Sequence, residues 1–433
     1  MILTDRFSDK TVHGFIRDFH LKFQNPEELL CYIQKQNDHS EQSPDFTLAT
    51  GLSGLLVLAS QLRNQDEEWD NYAFKILNYM IDSLPPLNLS LWGGLTGIAA
   101  STYLVSDEGK YYTNFLKQLN DVIISNTSDY LQQARRNLED GRVNSFDFET
   151  IYGLAGIGRY LLNFKEDQEV NRIIKDILDY FILLNGKKDF NGLLLPQYFI
   201  TEGNQYIDDE TNYPGGHLDL GLSHGICGPL AFLSISLENG FDQSNQTKTI
   251  EDMCEFLIRW GQEDAGGLWW PSKINLQELS TNQLQTTQKY PFAWCYGTPG
   301  VARTLWLSGR ALHNDRYKEI ALTTFKSLSK YPFEDLRLTS PTFCHGVSGL
   351  LHLTFLMHLE TNDKELYQFL QILRAKLLRY YNPENPLGFY DIDHNGLQTL
   401  SVGALEGTSG IIATLNAIEQ DQKPSWSSLF LVD

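Results

Sequence analysis

The stretch GLSGLLVLAS, residues 51–60, opens on two glycines three apart and continues as an almost unbroken apolar run. GLTGIAAS repeats the pattern from Gly94 and GLAGIGRYLL from Gly153, and the pairs Gly225/Gly228, Gly297/Gly300, Gly346/Gly349 and Gly407/Gly410 bring the copies to seven. A repeat spread over most of a chain decides architecture before any other signal does. Each copy is apolar on most sides, as a helix buried all round would be. Glycines at a helix start strip Cβ from one face, so neighbouring backbones can approach closely.

Stretches of another kind lie between the copies. In 66–82, Trp69, Tyr72, Ala73, Ile76, Leu77 and Met80 recur at three- and four-residue steps. Residues 166–184 and 362–380 carry similar stripes, as do segments near 27–36, 109–124, 246–260 and 315–330. These are amphipathic helices with one wet face. Seven one-sided helices alternating with seven buried ones predict two concentric rings, an inner barrel inside an outer one. The fold class is all-α, an α,α-toroid, read as a single domain over 1–433. An open solenoid is the competing arrangement, but the buried helices have too little polar surface for an exposed concave face. Residues 185–219 break the period and predict strands or an ordered flap, because so long a structureless loop is uncommon. Residues 126–149 read as a polar insertion with a short helix at 129–139. The tail beyond 418 reads as a surface segment carrying Trp426 and Phe430.

The net charge is −20 over 433 residues, which disfavours a nucleic-acid surface or adhesion to anionic lipid. Met1–Lys10 lacks a signal-peptide layout and no apolar run reaches membrane-spanning length. Five widely spaced cysteines predict a reducing, cytoplasmic setting.

The residue before the first glycine of each copy belongs to one rim of the barrel. Cys295 in AWCYG and Cys344-His345 in TFCHG therefore converge there from consecutive repeats. Two Cys and one His with a fourth position open is the arrangement of a catalytic zinc; two small buried thiols are the plainer alternative. His224, in LSHGICG, holds the matching position one repeat earlier, as a fourth ligand, a general acid/base or a helix-capping core residue. The positive end of the following helix disfavours its charged form, which suits a base. Tyr296 either fills the barrel mouth or touches substrate. Asp147 and Glu149, just before the third copy, are candidates to hold His224 in its working tautomer or to orient a substrate amide. Cys31 and Cys254 read as core residues of outer helices, and Cys227 as packing.

WCYGTPGVA, CHGVSGLL, LSHGICGPL and IYGLAGIGRYLL resemble the signatures of the lanthionine synthetase C-like family, the lantibiotic cyclases, over about residues 45–415. A chain of this length resembles the free cyclase. The resemblance implies a seven-plus-seven α,α-toroid, a zinc held by Cys295, Cys344 and His345, and a small β-containing insertion at 185–219. It implies intramolecular Michael addition of cysteine thiols to dehydroalanine or dehydrobutyrine in a dehydrated ribosomal precursor peptide, with His224 handling the proton and Tyr296 near the metal. It also brings in a dehydratase and an export transporter as further partners at the inner face of the membrane. Two positions depart from the family pattern. Glu149 stands where Asp is common and Pro291 where Arg is frequent, with Lys289 and Arg303 the nearby cations. The competing functions are addition of a free thiol such as glutathione, a zinc-thiolate prenyltransferase, and a non-catalytic zinc-stabilised peptide-binding scaffold.

Overall fold

Five of the seven Gly-x-x-Gly copies begin their helix by the same main-chain device. The backbone N–H groups of Leu52, Leu95, Ile226, Val347 and Thr408 donate to the carbonyls of Asp45, Asn88, Asp219, Ser340 and Ser401, seven residues earlier, at 2.9–3.0 Å. The preceding loop thus folds back over the helix start. A Cβ at Gly300 would fall 2.5 Å from the Trp294 carbonyl oxygen, and Gly297 has φ +87°, where an L side chain is strained. The glycines therefore make room for their own loop as much as for a neighbouring helix. One-sided helices start differently. The side chains of Asn25, Asp167, Asn314 and Asp363 cap Pro26–Gln36, Gln168–Leu184, Asp315–Leu328 and Lys364–Leu377.

The computed structural model describes residues 8–37, 45–63, 65, 67–190, 192–285, 289 and 291–433. The chain divides into two compact units. The first takes Met1–Asn88, Trp92–Asn120 and Arg337–Trp426. Its glycine-led helices pack side by side in the order Val347–Thr361, Thr408–Gln420, Leu52–Leu62, Leu95–Val105. The last repeat of the chain therefore packs on the first, an adjacency that an open solenoid lacks. Glu68–Ser83 lies on Leu52–Leu62, and Lys364–Leu377 on Val347–Thr361. Every residue from Val347 to Met357 is buried. Truncating a leucine there to alanine costs about 2–5 kcal/mol.

The second unit takes Leu89–Leu91, Asp121–Leu336 and Ser427–Asp433. Here Cys227–Glu238 packs between Leu154–Leu161 and Thr298–Ala311, with Gln168–Leu184, Gln246–Trp260 and Asp315–Leu328 backing them. Short antiparallel pairs decorate the connections, Lys187–Phe190 with Leu193–Pro196, His217–Asp219 with Lys273–Asn275, and Gln262–Asp264 with Gly267–Trp269. Asp391–Ile392 pairs with Gln398–Thr399 in the first unit.

Two sequence expectations fail. Thr113–Asp140 is one 28-residue helix, because no breaker interrupts it, and 126–140 is its continuation. The tail is core and not surface. Trp426 stacks on buried His352 at 4.5 Å, while the Phe430 and Val432 carbonyls accept from Trp294 Nε1 at 3.0 Å and Arg303 Nε at 2.8 Å.

Candidate functional site

The loops before the glycine-led helices are stitched by one recurring bond. The acceptor is the carbonyl two residues before the first glycine of the next repeat. In the second unit, Thr150 N–H donates to Ser223 O at 3.0 Å, and Leu222 and Ser223 N–H share Cys295 O at 2.9 and 3.2 Å. In the first unit, Phe343 and Cys344 N–H share Leu405 O at 3.1 and 3.0 Å, Leu405 and Glu406 N–H share Ala49 O, and Ala49 N–H donates to Trp92 O. Residues at matching repeat positions become spatial neighbours.

In the second unit this places His224 between Glu149 and Tyr296. Glu149 is fully buried. Its carboxylate accepts the N–H groups of Ile151 at 3.0 Å and Gly153 at 2.8 Å, and that of Tyr152. The same carboxylate stands 2.7 Å from His224 Nδ1. Tyr206 Oη lies 3.3 Å from that nitrogen, and the Tyr152 and Tyr296 rings flank the imidazole at 6.4 and 6.3 Å. Burial works against charge on His224, but Glu149 outweighs it and the pKa is raised. The expectation of a neutral base held by the helix terminus is corrected, since a contacting carboxylate exceeds a terminus effect. Tyr296 donates to Asp219 Oδ2 at 2.9 Å, and burial, reinforced by that carboxylate, keeps it a neutral phenol. Asp147 does not reach His224 and is bound to the Asn144 N–H and the Asn137 amide.

In the first unit the ligand atoms of Cys344, His345 and Glu406 all lie within 4.8 Å of one another. His345 Nε2 is 3.3 Å from Asp391 Oδ1. That oxygen also accepts Ser340 Oγ at 2.8 Å and Thr342 Oγ1 at 3.1 Å. Burial alone would raise the Asp391 pKa, but His345 and the two hydroxyls hold it low. Thiolate, imidazole and carboxylate, with a second carboxylate behind the imidazole, form a donor set that fits a divalent transition metal. Cys295 is buried in the second unit, on the loop whose carbonyl receives Leu222 and Ser223.

The geometry adds Tyr206, Asp219, Lys273, Asp391 and Glu406 to the residues singled out by sequence. Glu406 was visible as a rim residue, and Asp219 stands six residues before its glycine as Asp45 does; Tyr206, Lys273 and Asp391 sit in stretches with no repeat pattern. Lys289 is engaged by Asp264 at 2.5 Å and Arg303 by Val432 O. Cys31 is exposed, because the buried stripe of its helix runs through Pro26, Leu29 and Leu30; Cys227 and Cys254 are buried as expected.

Residues 42–431 match the family described as lanthionine synthetase C-like protein. The chain belongs to that family. It is 27% identical over 413 residues to nisin biosynthesis protein NisC of Lactococcus lactis subsp. lactis, covering 92% of this chain and 91% of that one. The solved nisin cyclase superposes with a TM-score of 0.77 at 25% identity, covering 94% of this chain and 97% of that one. The fold is therefore an α,α-toroid with small sheets, as expected from the repeat. As a lanthionine synthetase C-like chain it is a lanthipeptide cyclase, an enzyme that forms carbon–sulfur bonds. No helix among the described residues is long and apolar enough to cross a membrane.

Proposed function

We propose that this cyclase is zinc-dependent and closes lanthionine and methyllanthionine rings by adding precursor-peptide cysteines to dehydroalanine or dehydrobutyrine. The observation that carries the reading is the Cys344–His345–Glu406 cluster with Asp391 behind His345. Cys344 and His345 would hold the zinc, with Cys295 as the third ligand on the strength of its repeat position and the family signature. Glu406 is a further carboxylate within reach. When bound, zinc supplies the positive charge that keeps a substrate thiol ionised at neutral pH. Asp391, 3.3 Å from Nε2 of His345, would orient the imidazole that holds the metal.

His224 manages the proton. Sulfur bonds to the β-carbon, the double-bond electrons move to the α-carbon, and the proton given up by the thiol must arrive there. A histidine whose charged form Glu149 favours can carry that proton and deliver it from Nε2, since Nδ1 is engaged. Tyr296 bounds the space beside it. The whole chain acts as one catalytic domain in the cytoplasm on a dehydrated precursor, beside a dehydratase and an export transporter at the membrane.

The test is a synthetic peptide carrying a cysteine and a dehydroalanine. Ring closure removes the alkylatable thiol with no change of mass. Zinc content is measured in parallel on wild type, Cys295→Ala and Cys344→Ala. About one zinc per chain, lost in both variants along with thiol loss, supports the reading. A glutathione adduct on the peptide would point to intermolecular addition, and a zinc-free active enzyme would sink the metal.

A further inference from the structure

Lys273 has only 11% of its side chain exposed, yet it faces two carboxylates. Its Nζ is 2.6 Å from both Asp209 oxygens and 3.7 Å from Asp219 Oδ2. Strand pairing sets this up, because Lys273 stands directly opposite Asp219 in the two-stranded sheet. Asp209 arrives from the short helix Ile207–Asn212 in the non-repeating connection. The ammonium also lies over the Tyr213 and Tyr296 rings at 5.5 and 5.9 Å. Asp209 is further met by His217 Nε2 at 3.9 Å, and Gln205 Nε2 is 2.8 Å from His217 Nδ1. Desolvating such a group is expensive, and an apolar contact would hold the same segments at less cost.

Two of the three tyrosines around His224 are tied to this cluster. Tyr296 donates to Asp219. Tyr206 immediately precedes the helix that carries Asp209, and its hydroxyl meets His224 Nδ1. We infer that Lys273 is a positioning residue, whose ammonium clasps the 205–217 segment to the repeat scaffold and thereby sets Tyr206 and Tyr296 beside His224. Its kinetic consequence rests on the cyclase reading; its structural consequence does not.

The experiment compares Asp209→Asn, Lys273→Met, the double variant and Lys273→Arg with wild type. Three quantities are read: hydrogen–deuterium exchange of peptides spanning 200–217, zinc content, and kcat and KM for thiol loss from the peptide used above. Expected are faster exchange in 200–217, unchanged zinc and a kcat about tenfold lower with KM little altered. Lys273→Arg should recover most of kcat. The double variant should resemble either single one, because one clasp is lost only once. Faster exchange with wild-type kcat would make the cluster merely structural and overturn the inference. A lowered kcat with unchanged exchange would also overturn it, by making Lys273 act without the clasp. If Lys273→Met fails to fold, Asp209→Asn decides. A wild-type protein that makes no rings would sink the cyclase reading, while the exchange data would still judge the clasp.

Discussion

The loop bearing His224 and the loop bearing His345 are built alike and furnished differently. In each, two successive N–H groups share the carbonyl that lies two residues before the next repeat's glycine. Around His224 that frame holds a buried glutamate and tyrosines, and the histidine is biased toward charge. Around His345 it holds a thiol and a carboxylate, with Asp391 on the far nitrogen. Lys273, Tyr206 and Asp391 all come from connections that do not repeat. The repeat fixes where side chains stand; the connections decide what they are able to do.

The sharpest way to break this contrast is Cys344→Ala. It should abolish ring closure by about 10³-fold or more and lose zinc, read by thiol loss and metal analysis, whereas His224→Ala should lose ring closure and keep zinc. Glu149→Gln comes next. It removes the carboxylate from His224 and weakens three N–H contacts at the following helix start. The expectation is a kcat about 10²-fold lower and a stability loss of about 1–3 kcal/mol, with zinc retained. Asp391→Asn should act on the other loop alone, weakening zinc about 10–100-fold in chelator competition.

A pH-dependent effect belongs to Asp147. Burial pushes the Asp147 carboxyl up to about 6, against the hydrogen bonds from Asn144 and Asn137. The folded chain therefore binds this proton more tightly than the unfolded one. The group's contribution to stability is complete below its unfolded value near about pH 4 and is lost as pH rises through the folded value. Asp147→Asn should remove that loss, about 2–3 kcal/mol, so its urea midpoint should gain on wild type between about pH 4.5 and pH 7. The smallest effect is Cys31→Ser, which should leave the midpoint within about 0.5 kcal/mol of wild type because Cys31 is exposed.

Much of this was legible in the chain. The glycine pairs located all seven buried helices and the stripes most of the helices that back them, because helical periodicity is local; Ser8–Lys22, which packs on Thr408–Gln420, was not among them. That a carboxylate just before the third copy could hold His224 was legible in the sequence, with Asp147 and Glu149 both open; the contact belongs to Glu149. The charge bias of His224 was not legible, since it turns on a 2.7 Å contact between residues 75 apart in sequence. Lys273 and Asp391 were hidden for another reason: short strands in irregular connections leave no period to read. Cys31 was misplaced because a three- to four-residue stripe tolerates an error of one position.

The bonds between the last repeat and the first have a consequence for biosynthesis. Ser401 Oγ donates to the Thr50 carbonyl across 351 residues, so the first helix cannot complete its neighbourhood until nearly the whole chain has left the ribosome. At ordinary elongation rates that wait is roughly 20–70 s. Through it, apolar surface on Leu52–Leu62 stays open to solvent, which makes the nascent toroid a natural client for chaperones.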